Sequence, residues 1–175
     1  GLIAQQLALD VPARVRSLAL LCTFARGAQA ARLDWDIFCR GLRTRIGTPN
    51  SRRRAFLSML FTSEYIEQQG APELASRLAP LIGRDLAHSP SIMLKQLGAM
   101  RKFDATARLS ELANIPTLVV SAQHDPIALP AFGRELSQHI SGSRYVEIPN
   151  ASHGVTLQLP ALMNDLLTRA AMGPR

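Results

Sequence analysis

Two titratable residues stand where catalysis by proton transfer would need them. Thr117-Leu-Val-Val-Ser-Ala-Gln-His-Asp125 and Tyr145-Val-Glu-Ile-Pro-Asn-Ala-Ser-His153-Gly154 each begin as an apolar, β-branched run and end in a polar loop. One loop delivers Asp125, the other His153. A carboxylate that accepts from one imidazole nitrogen fixes the ring's tautomer and leaves the other nitrogen free to take a proton from a nucleophile. Taken singly, each residue has a plainer role: an Asp after a strand often caps a turn, and Ser152-His153-Gly154 can be an ordinary polar loop. Their spacing joins them. They lie 28 residues apart, and between them Pro130 to Ile140 carries Phe132, Leu136 and Ile140 at i, i+4 and i+8, one face of a helix. Strand, loop, helix, strand, loop is a crossover unit whose strands must run parallel. Both loops then leave the carboxyl edge of the sheet, where open α/β sheets place ligands, so Asp125 and His153 are expected to meet.

The elements that must position them follow from the hydrophobic pattern. Gly1 to Leu9 reads as a helix with Ile3 and Leu7 on one side and Gly1, Ala4 and Ala8 on another, ended by Pro12. Residues 14–22 read as a strand whose second half, Leu18 to Cys22, is apolar on both faces, as in a central parallel strand. From Thr23 to Phe103 no strand pattern appears. Helices are expected at Ala28–Leu42 (Leu33, Ile37 and Phe38 inward), Ser51–Phe61, Ser63–Gln69, Pro72–Ile82 and Ser91–Phe103 (Met93, Leu97 and Met100 inward), with breaks at Gly47-Thr-Pro49, Gly70, Gly83 and Pro90. A short helix over Asp104–Ala113 leads through Pro116 into the strand 117–121, a further strand spans 144–148, and one amphipathic helix, Val155 to Ala171, ends the pattern. The expected fold is α/β: a mostly parallel sheet built from 1–23 and 104–175, with a helical cap, 24–103, inserted between two strands. Three strands are few for so many helices. An opening helix of some nine residues cannot stand alone in water, so the chain reads as the carboxyl-terminal part of something longer. The open edge of the strand 14–22 predicts that residues 1–175 alone are poorly soluble or loosely folded.

Composition narrows the function. The chain has 175 residues, 47% of them hydrophobic, enough for one domain with a real core. The net charge of +7 comes largely from arginine, with Arg40, Arg43, Arg45, Arg52, Arg53 and Arg54 in one stretch. That stretch lacks interleaved aromatics and any zinc or helix-turn-helix pattern, so nucleic acid is not an expected partner. No apolar run is long enough for a bilayer and no signal segment opens the chain, so neither a membrane nor secretion is expected and the cytoplasm is the default. Cys22 and Cys39 lack metal-ligand spacing and read as small buried apolar residues. Surface or structural roles are expected for His88, His124 and His139. With no His/Cys/Asp/Glu cluster at metal spacing and no glycine-rich phosphate loop, no cofactor is expected.

In this order, the residues resemble those of the α/β-hydrolase superfamily over nearly the whole chain. Gly1-Leu-Ile-Ala-Gln-Gln-Leu-Ala resembles the helix that follows the nucleophile elbow, and Pro12-Ala-Arg-Val-Arg-Ser-Leu-Ala-Leu-Leu the next strand. The helical block resembles the variable cap. Ile115-Pro-Thr-Leu-Val-Val-Ser-Ala-Gln-His-Asp125-Pro resembles the loop of the triad acid, and Ile148-Pro-Asn-Ala-Ser-His153-Gly154 that of the triad histidine. The elbow, G-x-S-x-G-G, is not complete in the chain: Gly1 would be its last or next-to-last glycine, and the serine, with the oxyanion hole, would lie upstream. The resemblance implies hydrolysis of a small-molecule carboxylic ester or lactone by a Ser-Asp-His mechanism, with Asp125 and His153 catalytic and the nucleophile outside this chain. An Asp nucleophile, giving epoxide or haloalkane hydrolysis, and a non-catalytic, partner-dependent protein are the alternatives. Ser121 and Ser152 do not sit on a strand-to-helix elbow and are not expected to replace the serine. Trp35, Phe38, Met59, Phe61, Met93 and Met100 are candidates for an apolar pocket, and the arginines for an anionic group on the substrate. A homo-oligomer stays open.

Overall fold

The structure, a computed structural model, describes residues 1–31, 35–88 and 90–172. Its centre is a parallel sheet of three strands in the order β1 (Leu18–Leu21), β2 (Thr117–Ala122), β3 (Arg144–Ile148). The register runs from Leu18 opposite Thr117 to Leu21 opposite Val120, and from Leu118 opposite Arg144 to Ala122 opposite Ile148.

Alternation along the strands sends side chains into two separate cores, one on each face. Leu18, Leu20 and Val119 point to one face, where α1 (Leu2–Asp10), the 3-10 segment Thr106–Asn114 and α8 (Pro130–His139) cover them with Ala8, Leu109, Leu112 and Leu136. Leu118, Val120, Ala122 and Ile148 point to the other, against Val155 of α9 (Val155–Gln158) and Met163 and Leu166 of α10 (Pro160–Met172). Every residue of β2 is buried, as a strand covered on both faces must be. Side chains as completely buried as Leu20, Leu109 and Leu136 each stabilise such a core by about 1.5–3 kcal/mol.

Between β1 and β2 lie α2 (Gly27–Ala31), α3 (Trp35–Arg43), α4 (Pro49–Leu60), α5 (Ser63–Gln69), α6 (Ala71–Ile82) and α7 (Ile92–Arg101). Thr48 caps α4 by accepting from the Ser51 amide, Thr62 caps α5 through the Tyr65 amide, and Gly83 in the left-handed conformation ends α6. These helices have a third core of their own, with Leu57, Phe61, Ile66, Leu74 and Leu78 buried. The block's entry and exit run side by side: the Gly27 amide donates to Phe103 and the Ala105 amide to Ala25.

Several expectations change. The strand expected over 14–22 is only Leu18–Leu21, because Pro12 starts a 3-10 turn and β1 begins where β2 is there to pair, the Leu18 amide meeting Pro116. The helix expected over Val155–Ala171 is two helices, since Pro160 cannot donate an amide and starts a new one. Of the helix expected over Ala28–Leu42, the described parts, in α2 and α3, are helical; the expected inward positions Leu33, Ile37 and Phe38 lie outside the described side chains, as does Met93. On α7, Leu97 is exposed rather than inward, while Met100 packs on the second core. In α1 the small residues face the sheet, so Ile3 and Leu7 are 86% and 55% exposed.

Candidate active site

Just past the carboxyl ends of three neighbouring strands come Cys22, Asp125 and His153. Parallel pairing puts these ends side by side, and their thiol, carboxylate and imidazole atoms lie within 4.8 Å of one another. Asp125 is 2% exposed, and its carboxylate is fully spoken for: Oδ1 accepts from the amides of Ile127 and Ala128, each at 2.8 Å, and Oδ2 faces His153 Nδ1 at 2.8 Å. Those amides make the turn that carries the carboxylate, a side-chain-capped loop of the kind Asp favours. The His153 side chain keeps 29% of its surface exposed. With Nδ1 bound to the carboxylate, Nε2 is the nitrogen left to exchange a proton with a neighbour.

Both loops are anchored to each other. Gln123 donates its amide to Ile148, His124 to Ala151, and the Ser152 hydroxyl donates to the His124 carbonyl at 3.1 Å. That bond and 2% exposure leave Ser152 no role as a nucleophile, and Ser121 is 1% exposed under α8 on the other face of β2. His88 and His124 are exposed, and His139 Nδ1 meets the Glu135 carbonyl at the end of α8.

Cys22 was expected to be a buried apolar residue; it is buried, yet its thiol faces the carboxylate. Burial first, then the negative charge of Asp125 and a hydrogen bond to it, push the thiol up to about 12. No His/Cys/Asp/Glu cluster at metal spacing was expected from the sequence; strand order, not sequence spacing, brings Cys22, Asp125 and His153 together. Within this group Asp125 and His153 share a hydrogen bond. The signal for Cys22 was its place as the last apolar residue of its strand run, the position that Asp125 and His153 follow on theirs.

Of the expected pocket residues, Trp35 and Phe38 lie outside the described side chains, Phe61 is buried in the core of the helical block, and Met100 packs toward the sheet. A cavity of about 510 Å³ lies instead between α4 and α6, lined by Asn50, Arg54, Ala71, Ala75 and Asp85 among others, with no residue from the strand-end loops. Of the arginine stretch, Arg53 is paired with Asp85 at 2.6 Å and Arg40 Nη1 donates to the Ser58 carbonyl, while Arg43, Arg45 and Arg54 are exposed. Among the described residues, no helix is long and apolar enough to cross a membrane.

A strand-end acid hydrogen-bonded to a strand-end histidine, on a parallel sheet with helices on both faces, defines a class. The family model of the alpha/beta hydrolase fold matches residues 1–158, and the chain belongs to that family. Among curated proteins it is similar to the pimeloyl-acyl-carrier-protein methyl ester esterase of Neisseria meningitidis serogroup C, 29% identical over 153 residues that cover 87% of this chain and 59% of that one. Among solved structures it is similar to the enol-lactonase of Burkholderia xenovorans LB400, with a TM-score of 0.71 at 26% identity over 95% of this chain and 60% of that one. An alpha/beta hydrolase from a Medee basin deep-sea metagenome shares the fold at a TM-score of 0.75 and 16% identity, covering 99% of this chain and 62% of that one. The chain thus spans about three-fifths of the length of each of these three relatives. These relatives include an esterase and a lactonase.

Proposed function

We propose that the complete protein hydrolyses carboxylic esters or lactones by a Ser-Asp-His mechanism in which Asp125 is the acid and His153 the base. The observation that carries this is the 2.8 Å contact between His153 Nδ1 and Asp125 Oδ2 at the ends of adjacent parallel strands. The serine is proposed to precede Gly1, where the family's elbow would run into α1. His153 Nε2 takes the serine proton as the oxygen attacks the substrate carbonyl, and returns it to the departing alcohol, or to the ring oxygen of a lactone. Water then repeats the sequence on the acyl-serine. Asp125 keeps Nδ1 protonated, holds the ring in place and stabilises the imidazolium. The helical block is proposed to act as a cap that shapes the acyl site, and its exposed arginines to favour substrates carrying an anionic group.

The test is hydrolysis of a chromogenic short-chain ester by the complete protein and its His153→Ala variant. A loss of about a thousandfold or more with the circular dichroism spectrum retained is expected; wild-type turnover in the folded variant contradicts the assignment. An Asp at the elbow in place of Ser would instead direct the same pair to epoxide or haloalkane substrates.

A further inference from the structure

The two members of the pair are held by different parts of the molecule. Asp125 is tied to its own turn through Ile127 and Ala128, one strand end away from the sheet. The loop of His153 is tied on its amino side to the β2 loop, through His124 with Ala151 and Ser152. On its carboxyl side the hold comes from the helical block: the Gly154 amide donates to the Leu60 carbonyl at 2.7 Å. That carbonyl belongs to the last turn of α4, whose oxygens have no partner within the helix, and the Gly154 amide stands at the start of α9, whose first amides lack one too. Each end satisfies the other.

The approach is so close that only glycine fits. A Cβ at Gly154 would lie 2.9 Å from the Leu60 carbonyl oxygen, 2.9 Å from Phe61 Cε1 and 3.3 Å from Leu60 Cβ. Gly154 has φ −83°, so the requirement is for space and not for an unusual backbone. Phe61 is itself 3% exposed, packed in the block's core and against the Tyr65 ring at 5.2 Å. A continuous packed path therefore runs from the core of the helical block through Phe61 to the residue beside His153.

We propose that the carboxyl end of α4 positions His153, with Gly154 and Phe61 as positioning residues, so that the seating of the helical block and the alignment of the catalytic base are a single event. This rests on the hydrolase reading above. A block displaced from the sheet draws Gly154 with it, while Asp125 stays with the core, and the Nδ1 contact lengthens. Misplacing a catalytic group by about 1 Å can cost a hundredfold in rate.

The experiment compares Gly154→Ala, Phe61→Ala and His153→Ala in the complete protein, reading kcat and KM on a chromogenic ester and the downfield proton resonance of His153 Nδ1–H. Gly154→Ala is expected to lower kcat tenfold or more with KM within about threefold, and to broaden or shift the resonance. Phe61→Ala, which removes packing without adding a clash, is expected to do the same in smaller measure and covers the case in which Gly154→Ala does not fold. A purely structural role would lower the melting temperature and leave both readouts unchanged in the folded variants; that result overturns the proposal. Should His153→Ala retain activity, the hydrolase reading itself falls; should it be inactive while Gly154→Ala and Phe61→Ala turn over normally, only the positioning claim falls.

Discussion

Asp125 carries more hydrogen bonds than any single role as a turn residue requires. Two amides hold one oxygen while the other is left to His153. Replacing it with Asn in the complete protein keeps the size and the turn but lets Nδ1 meet an amide group, and the ring can adopt the wrong tautomer. The expected loss in kcat is about 10⁴-fold with little change in KM, measured on the same ester. Cys22 offers a test that needs no substrate. A thiol held up to about 12 by burial and by Asp125 is almost wholly protonated at neutral pH, and the thiolate is the reactive form. Cys22 is therefore expected to resist iodoacetamide in the folded chain and to be alkylated only in denaturant, as peptide mass spectrometry would show; prompt labelling of the native protein would contradict this geometry.

At the scale of elements, the crossover between the two site loops depends on a tight fit. A Cβ at Gly133 in α8 would lie 2.0 Å from Ser121 Oγ in β2. Gly133→Ala is expected to destabilise the chain by about 1–3 kcal/mol through overpacking, and Ser121→Ala in the same chain to recover most of that loss, a coupling that chemical denaturation of the two single and one double variant would show. The helical block has a pH-sensitive tie in Arg53 and Asp85. The Arg53 hydrogen bond, helped by the Ala87 amide, holds the Asp85 carboxyl down to about 2. Because that lies below the ordinary carboxylate value, the tie contributes fully above the ordinary range and is lost as pH falls toward 2. An NMR titration of Asp85 is expected to show this low midpoint and its return toward the ordinary range in Arg53→Ala.

Periodicity made the strands, α5, α6 and α8 legible, because each is set by its own apolar spacing and by local stops such as Gly70 and Gly83. The site pair was legible for a related reason: the crossover fixes where two loops emerge. What was not legible depends on neighbours distant in sequence. Nothing local tells Arg14–Ser17 that β2 begins opposite Leu18, or that the Leu60 carbonyl will meet Gly154.

For the molecule as a whole, the arrangement of apolar surface matters most. Among the described residues β1 pairs only with β2, leaving its other edge without a strand, and Ile3 and Leu7 lie largely exposed on α1. Such surfaces favour self-association. The 175-residue chain is expected to sediment as concentration-dependent aggregates, lessened by Ile3→Lys with Leu7→Lys; a monomer with a cooperative melt would contradict this. We propose a site in which Asp125 is the acid, His153 the base and a serine preceding Gly1 the nucleophile. Its most direct test is to treat the complete protein with a fluorophosphonate and locate the adduct by peptide mass spectrometry, with His153→Ala alongside. One labelled serine is expected, in a G-x-S-x-G elbow that runs into Gly1, with labelling lost in His153→Ala. An adduct on Ser121 or Ser152, or labelling that persists without His153, would contradict it.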